Sequence, residues 1–66
     1  MQNSIRLERV KKRLTQQELA DILSVSRQSI MAIESGRFNP SVKLALKMAA
    51  LFECDVKDIF SLEDDD

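Results

Sequence analysis

The stretch TQQELADILSVSRQSIMAIES, residues 15–35, decides how this 66-residue chain folds. Thr15 and Glu18 stand three apart just ahead of an apolar run. That is the spacing of a capping box, in which the hydroxyl takes a free helix amide and the carboxylate reaches back to the cap. Leu19, Ile22 and Leu23 then recur at i, i+3 and i+4, which predicts a helix over about 16–23. Only Ser24-Val25-Ser26 precede the next pattern. Ser26 is a good N-cap, and Ile30 and Ile33 mark the inner side of a second helix over about 27–35. Gly36 stands where a left-handed residue would close it. Two short helices joined by a three-residue turn, over about 16–35, form a helix-turn-helix arrangement.

Working outward, Ile5, Val10 and Leu14 lie among Lys and Arg and predict a helix over about 4–12. Asn39-Pro40-Ser41 reads as a turn followed by a cap. Val42, Ala45, Leu46, Ala49 and Phe52 keep helical spacing over about 42–52. Asp55 can cap a short fifth helix carrying Val56, Ile59 and Phe60. Residues 63–66, Glu-Asp-Asp-Asp, read as a solvated acidic tail. With one Gly and one Pro in the chain, and no hairpin dipeptide, the expectation is an all-α domain of five helices spanning 1–66.

A chain of this size buries only about 60% of the surface its unfolded form exposes, and small domains gain stability from disulfides, metals or partner chains. A single cysteine, Cys54, excludes an internal disulfide. The absence of histidine beside that lone thiol excludes a conventional zinc site, and no imidazole is present to activate a serine or cysteine nucleophile. No catalytic constellation or cofactor motif is visible, so the expectation is a protein that is not an enzyme and carries no metal. A partner chain remains, which predicts a homodimer. The longest apolar run, Met48 to Phe52, is far too short to span a bilayer. An unpaired cysteine and no export signal before Arg6 and Glu8 point to the cytoplasm.

The net charge of −1 is unevenly spread. Residues 1–40 hold seven basic and four acidic side chains, and residues 41–66 hold three and seven. The basic half is a candidate electrostatic footprint for a polyanion. On a helical wheel Ile30 and Ile33 face inward, and Gln28, Ala32 and Ser35 fall opposite. Arg27 and Met31 flank one side and Ser29 the other. A surface helix selected for stability alone would carry Glu–Lys pairs. This outer face carries no acid, and its Arg, Gln, Ser and Ala match the donors, acceptors and methyl groups of base edges in a major groove.

From Ile5 to Phe60 the sequence resembles the phage repressor/Cro family of helix-turn-helix proteins, the XRE-type regulators. The matching residues are Arg9, Leu14-Thr15-Gln16 and Glu18-Leu19-Ala20. They continue through Val25-Ser26-Arg27-Gln28-Ser29-Ile30, Ile33-Glu34, Gly36, Asn39-Pro40-Ser41 and Ala45-Leu46 to Asp58-Ile59-Phe60. The resemblance implies a compact lambda-repressor-like fold and a sequence-specific regulator of transcription, a repressor on double-stranded DNA. It implies that Arg27, Gln28 and Ala32 face base edges with Ser29 nearby. Gln16 would hold a phosphate at a helix N-terminus, where free amides and the dipole favour an anion. Arg37, Phe38 and Asn39 would lie along the DNA backbone with Lys43 close behind. Glu34 falls beside the buried face and needs a partner, which the resemblance supplies as Arg9. Arg6, Lys11, Lys12 and Arg13 read as a solvated basic face. Where family members commonly carry Gly or another residue tolerant of left-handed backbone, this chain has Arg13, Ser24 and Glu53.

One recognition helix reads too few base pairs to select a site in a genome, so the expected operator is a palindrome bound by a two-fold dimer. Leu44, Leu51, Val56, Phe60 and Leu62, in the C-terminal third, are its expected contact. No membrane or small-molecule partner is implied. A helix-turn-helix domain can also serve as an antitoxin or a protein-interaction adaptor. An antitoxin normally appends a toxin-wrapping segment, and only the short acidic tail is present.

Overall fold

Side-chain caps start three of the helices and left-handed residues stop four of them. The computed structural model describes residues 1–64 and contains, in order, β1 (Gln2–Asn3), α1 (Ile5–Lys11), α2 (Gln16–Leu23), α3 (Arg27–Glu34), α4 (Val42–Phe52), α5 (Val56–Ile59) and β2 (Phe60–Ser61). The class is all-α, as expected. At the start of α2 the Thr15 hydroxyl accepts from the Glu18 amide at 3.0 Å, and the Glu18 carboxylate accepts from the Thr15 amide at 2.9 Å. Ser26 and Ser41 accept from the amides of Ser29 and Leu44, each at 3.1 Å, and so open α3 and α4. The Asp58 carboxylate accepts from the Asp55 amide at 3.1 Å at the head of α5.

Arg13, Ser24 and Glu53 have φ of 57°, 59° and 57°, and Gly36 has φ of 80°. Each reverses the chain so that the next amide returns to the last turn. Leu14 donates to the Arg9 carbonyl at 3.1 Å, Val25 to Ala20 at 3.0 Å, Arg37 to Ala32 at 3.0 Å and Cys54 to Ala49 at 3.0 Å. These are the six-to-one bonds of Schellman motifs, which satisfy carbonyls that a helix end leaves open. Leu14, Val25 and Cys54 then fold back against the core, the apolar contact that accompanies the motif. Loss of hydration and the carboxylates of Glu8, Asp58 and Asp55 push the Cys54 thiol above its ordinary range, with Lys11 opposing them.

The core comprises Ile5, Leu19, Ala20, Leu23, Ile30, Ile33, Ala45, Met48, Ala49, Phe52, Ile59 and Phe60. Several apolar residues in the expected periodic sets lie outside it. Ile22 is 53% exposed and Val10 55%, while Val42 and Leu46 are 78% and 58% exposed. In α2 the inward stripe is Leu19, Ala20 and Leu23. In α4 Met48, Ala45, Ala49 and Phe52 form the stripe, which turns Val42 and Leu46 to the side.

Phe60 does not continue the fifth helix. Its extended backbone (φ −115°, ψ 140°) enters β2, which pairs antiparallel with β1, Asn3 opposite Phe60 and Gln2 opposite Ser61. The Ser4 amide donates to the Ile59 carbonyl at 2.9 Å and extends this closure. Asn3 pins it from inside, donating from Nδ2 to the Ile33 carbonyl at 2.8 Å and accepting from the Ile5 amide at 3.2 Å. The side chain that serves the start of α1 is therefore Asn3, not Ser4. Phe60 is 7% exposed in the chain's own core, so it is removed from the residues expected at a dimer contact. Leu44, Leu51 and Val56 are half-buried against that core, and Leu62 is 78% exposed. The expected acidic tail is described only as far as Asp64, where Glu63 and Asp64 are exposed, and its last two residues lie outside the described ones.

Candidate nucleic-acid interface

Burial of Ile30 and Ile33 against α2 fixes the rotation of α3 about its axis. Arg27 and Gln28 consequently face solvent, Met31 is 41% exposed, and Ala32 is half-buried between them and Ser35. Ser29 sits half-buried at the edge of this face. Its hydroxyl lies 2.9 Å from that of Ser26, within the cap that starts the helix. The Ser35 hydroxyl donates to the Ala32 carbonyl at 3.0 Å and accepts from Arg37 Nε at 3.2 Å, which holds Arg37 at the far end of α3. Phe38, 57% exposed, and Asn39 follow in the connection to α4.

The one acid of α3, Glu34, is turned inward. Arg9 Nε donates to Glu34 Oε2 at 2.7 Å and Nη2 to Oε1 at 3.3 Å, and Arg9 Nη1 donates to the Leu14 carbonyl at 2.8 Å. The side chains of this pair are only 12% and 7% exposed, so α1 is tied to α3 by the partner that the family resemblance implies. Gln16 Nε2 also donates to Glu34 Oε1, at 3.3 Å. This link was not legible in the sequence, because it depends on how closely the head of α2 approaches the tail of α3.

At its N-terminus α2 offers the backbone amides of Gln16 and Gln17, which no earlier turn can satisfy. Arg9, Thr15, Gln16, Gln17 and Arg27 line a shallow hollow around them. Positive dipole, free donors and Arg27 converge there, a combination suited to a phosphate. Beyond the turn, Lys43 lines a second hollow with Ser24, Ser41 and Lys47. Lys47 was not among the expected backbone contacts, although the spacing i, i+4 places it beside Lys43 on one side of α4.

A helix pair with a three-residue turn, whose second helix shows solvent an acid-free polar face, defines a helix-turn-helix DNA-binding domain. The family model described as "Helix-turn-helix" matches residues 5–59, and the chain belongs to that family, with the features of an XRE-type regulator of transcription. It is 48% identical over 66 residues to an uncharacterized HTH-type transcriptional regulator of Methanocaldococcus jannaschii, covering all of both chains. It is 39% identical to one of Archaeoglobus fulgidus, covering 100% of this chain and 94% of the relative. With the HTH-type transcriptional regulator YgzD of Bacillus subtilis the identity is 35%, over 98% of each. Among solved structures, the crystal structure of a hypothetical transcription factor, NHTF, from Neisseria superposes with a TM-score of 0.73 at 33% identity. That match covers 82% of this chain and spans 61% of the Neisseria chain. Among the described residues, no helix is long and apolar enough to cross a membrane.

Proposed function

We propose that the protein is a cytoplasmic, sequence-specific repressor that binds a palindromic operator in double-stranded DNA as a homodimer and acts by occupying its site. The observation that carries this reading is the outward face of α3, where Arg27, Gln28 and Ala32 stand clear of any acid because Glu34 is folded inward onto Arg9. Arg27 and Gln28 read bases, with the Ala32 methyl group against a thymine and Ser29 at the margin. The Gln16 amide nitrogen keeps a second proton for a phosphate while its first stays on Glu34. Arg37, Phe38, Asn39 and Lys43 follow the backbone. Two-fold pairing through the C-terminal third, with Leu62 outermost and Leu44, Leu51 and Val56 behind it, leaves α3 free and sets two recognition helices about 34–36 Å apart.

Selection from a pool of random duplexes tests the reading. The recovered sites should be palindromes with half-site centres about 10 base pairs apart. Gln28→Ala should bind them about 1–3 kcal/mol more weakly and lose preference at one position of each half-site. Equal losses on selected and random DNA would remove Gln28 from base readout. Selected single half-sites, bound by a protein that sediments as a monomer, would remove the dimer.

A further inference from the structure

The basic residues of the first helix and the segment after it do not share one environment. Lys11 is paired with Glu8 at 3.0 Å. Lys12 and Arg13 are exposed at the end of α1 and line none of the hollows described above. Arg6 differs. It stands one turn before Arg9 on the same side of α1 and enters a cleft between α1 and the far end of α3. Met31 and Ser35 form the α3 wall, and Arg37 closes the end. Among the described residues Glu34 is the one acid that lines the cleft, and it is already bound by Arg9 and Gln16. Among the described residues no carboxylate is paired with Arg6 or Arg37, and both face the cleft. Arg9 and Gln16 line both this cleft and the hollow at the head of α2. The two depressions adjoin at these shared walls, and cationic groups follow one another from Arg27 past Gln16 to Arg37 and Arg6.

We propose that Arg6 and Arg37 form a second phosphate clamp, so that one strand of the duplex runs from the head of α2 along the side of α3 to α1. Planar guanidinium groups suit phosphate oxygens, and the half-exposed Met31 side chain offers an apolar wall to the sugar between two such contacts. The inference rests on the DNA-binding reading and adds to it a contact from α1. In this geometry α1 does more than brace the fold through Arg9: its first turn enlarges the footprint on the backbone and contributes no base readout.

Binding of Arg6→Ala, Lys12→Ala and the unmodified protein to one labelled, pool-selected duplex, titrated with salt, tests the clamp. Arg6→Ala should bind several-fold more weakly at low salt, with the slope of log affinity against log salt reduced by about one. Its base preferences and melting temperature should match those of the unmodified protein. Lys12→Ala, which removes the same charge outside the cleft, should leave affinity and slope unchanged. An unchanged slope for Arg6→Ala, or an equal loss in Lys12→Ala, overturns the clamp while leaving the DNA-binding reading in place. If the unmodified protein selects no duplex from the pool, the functional reading fails and the clamp falls with it.

Discussion

Glu34 shows how one buried carboxylate can serve fold and function together. It accepts from Arg9 through two nitrogens and from Gln16 through a third, so one side chain of α3 holds α1 and the head of α2. A buried pair adds little net stability, because desolvation offsets much of its attraction, yet removing one partner strands the other charge. Arg9→Ala should therefore destabilise the fold by about 3–5 kcal/mol, leaving Glu34 with the Gln16 amide alone. Thermal melts of Arg9→Ala beside Lys12→Ala check this, and equal melting temperatures would count against it. At this scale the sequence was informative where residue type and wheel position agreed. Glu34 fell beside the buried face and needed a cation, and the acid-free outer face was already visible. What it could not supply were contacts across the interior, such as Asn3 on the Ile33 carbonyl, since nothing in local pattern links residues thirty apart.

Among the elements, helix ends were the most legible feature, because each is a local chemical event. The predicted bounds of α2 and α4 match the structure, Gln16–Leu23 and Val42–Phe52, since a hydroxyl cap opens each and a left-handed residue closes it. Bounds drifted where the cap lay elsewhere, as with Asn3 at α1, or where the chain changed from helix to strand, as at Phe60. Helical period was a poorer guide to the core. Neighbouring stripes on a short helix contain similar numbers of apolar residues, and packing selected Ala20 and Met48 over Ile22 and Leu46. Three of the four Schellman closures use a residue with a side chain where glycine would be unstrained, at roughly 1–2 kcal/mol each. Glu53→Gly should relieve this and raise stability by about 1 kcal/mol, a melting temperature about 4–8 °C higher. Glu53→Ala, which keeps the Cβ, should gain almost nothing. Similar melting temperatures for the two variants would mean that the left-handed backbone is not the source of the strain.

For the molecule as a whole, the split of charge seen in the sequence is a division of labour in space. Four of the five arginines of the first forty residues, Arg6, Arg9, Arg27 and Arg37, lie on or beside α3, and the acids of the last third fall in the sequence on α5, its flanks and the residues after it. The order of the helices was legible from their caps and spacing. The β1–β2 pairing was not, because two residues per strand contain no period to read. That pairing also dictates an order of assembly. Residues 2–3 and 60–61 can meet only by closing a loop of almost the whole chain, whereas α2 and α3 are neighbours in sequence and associate across three residues. The ladder is therefore expected to form after the rate-limiting step, outside the folding nucleus. Asn3→Ala, which removes the bonds pinning β1, should leave the refolding rate unchanged and accelerate unfolding about 5–30-fold. A refolding rate that slows by the full loss of stability would instead place the ladder in the nucleus. On that outcome the seam between residues 2–3 and 60–61 is a kinetic latch: it governs how long the folded state lasts, with little influence on how quickly that state is reached.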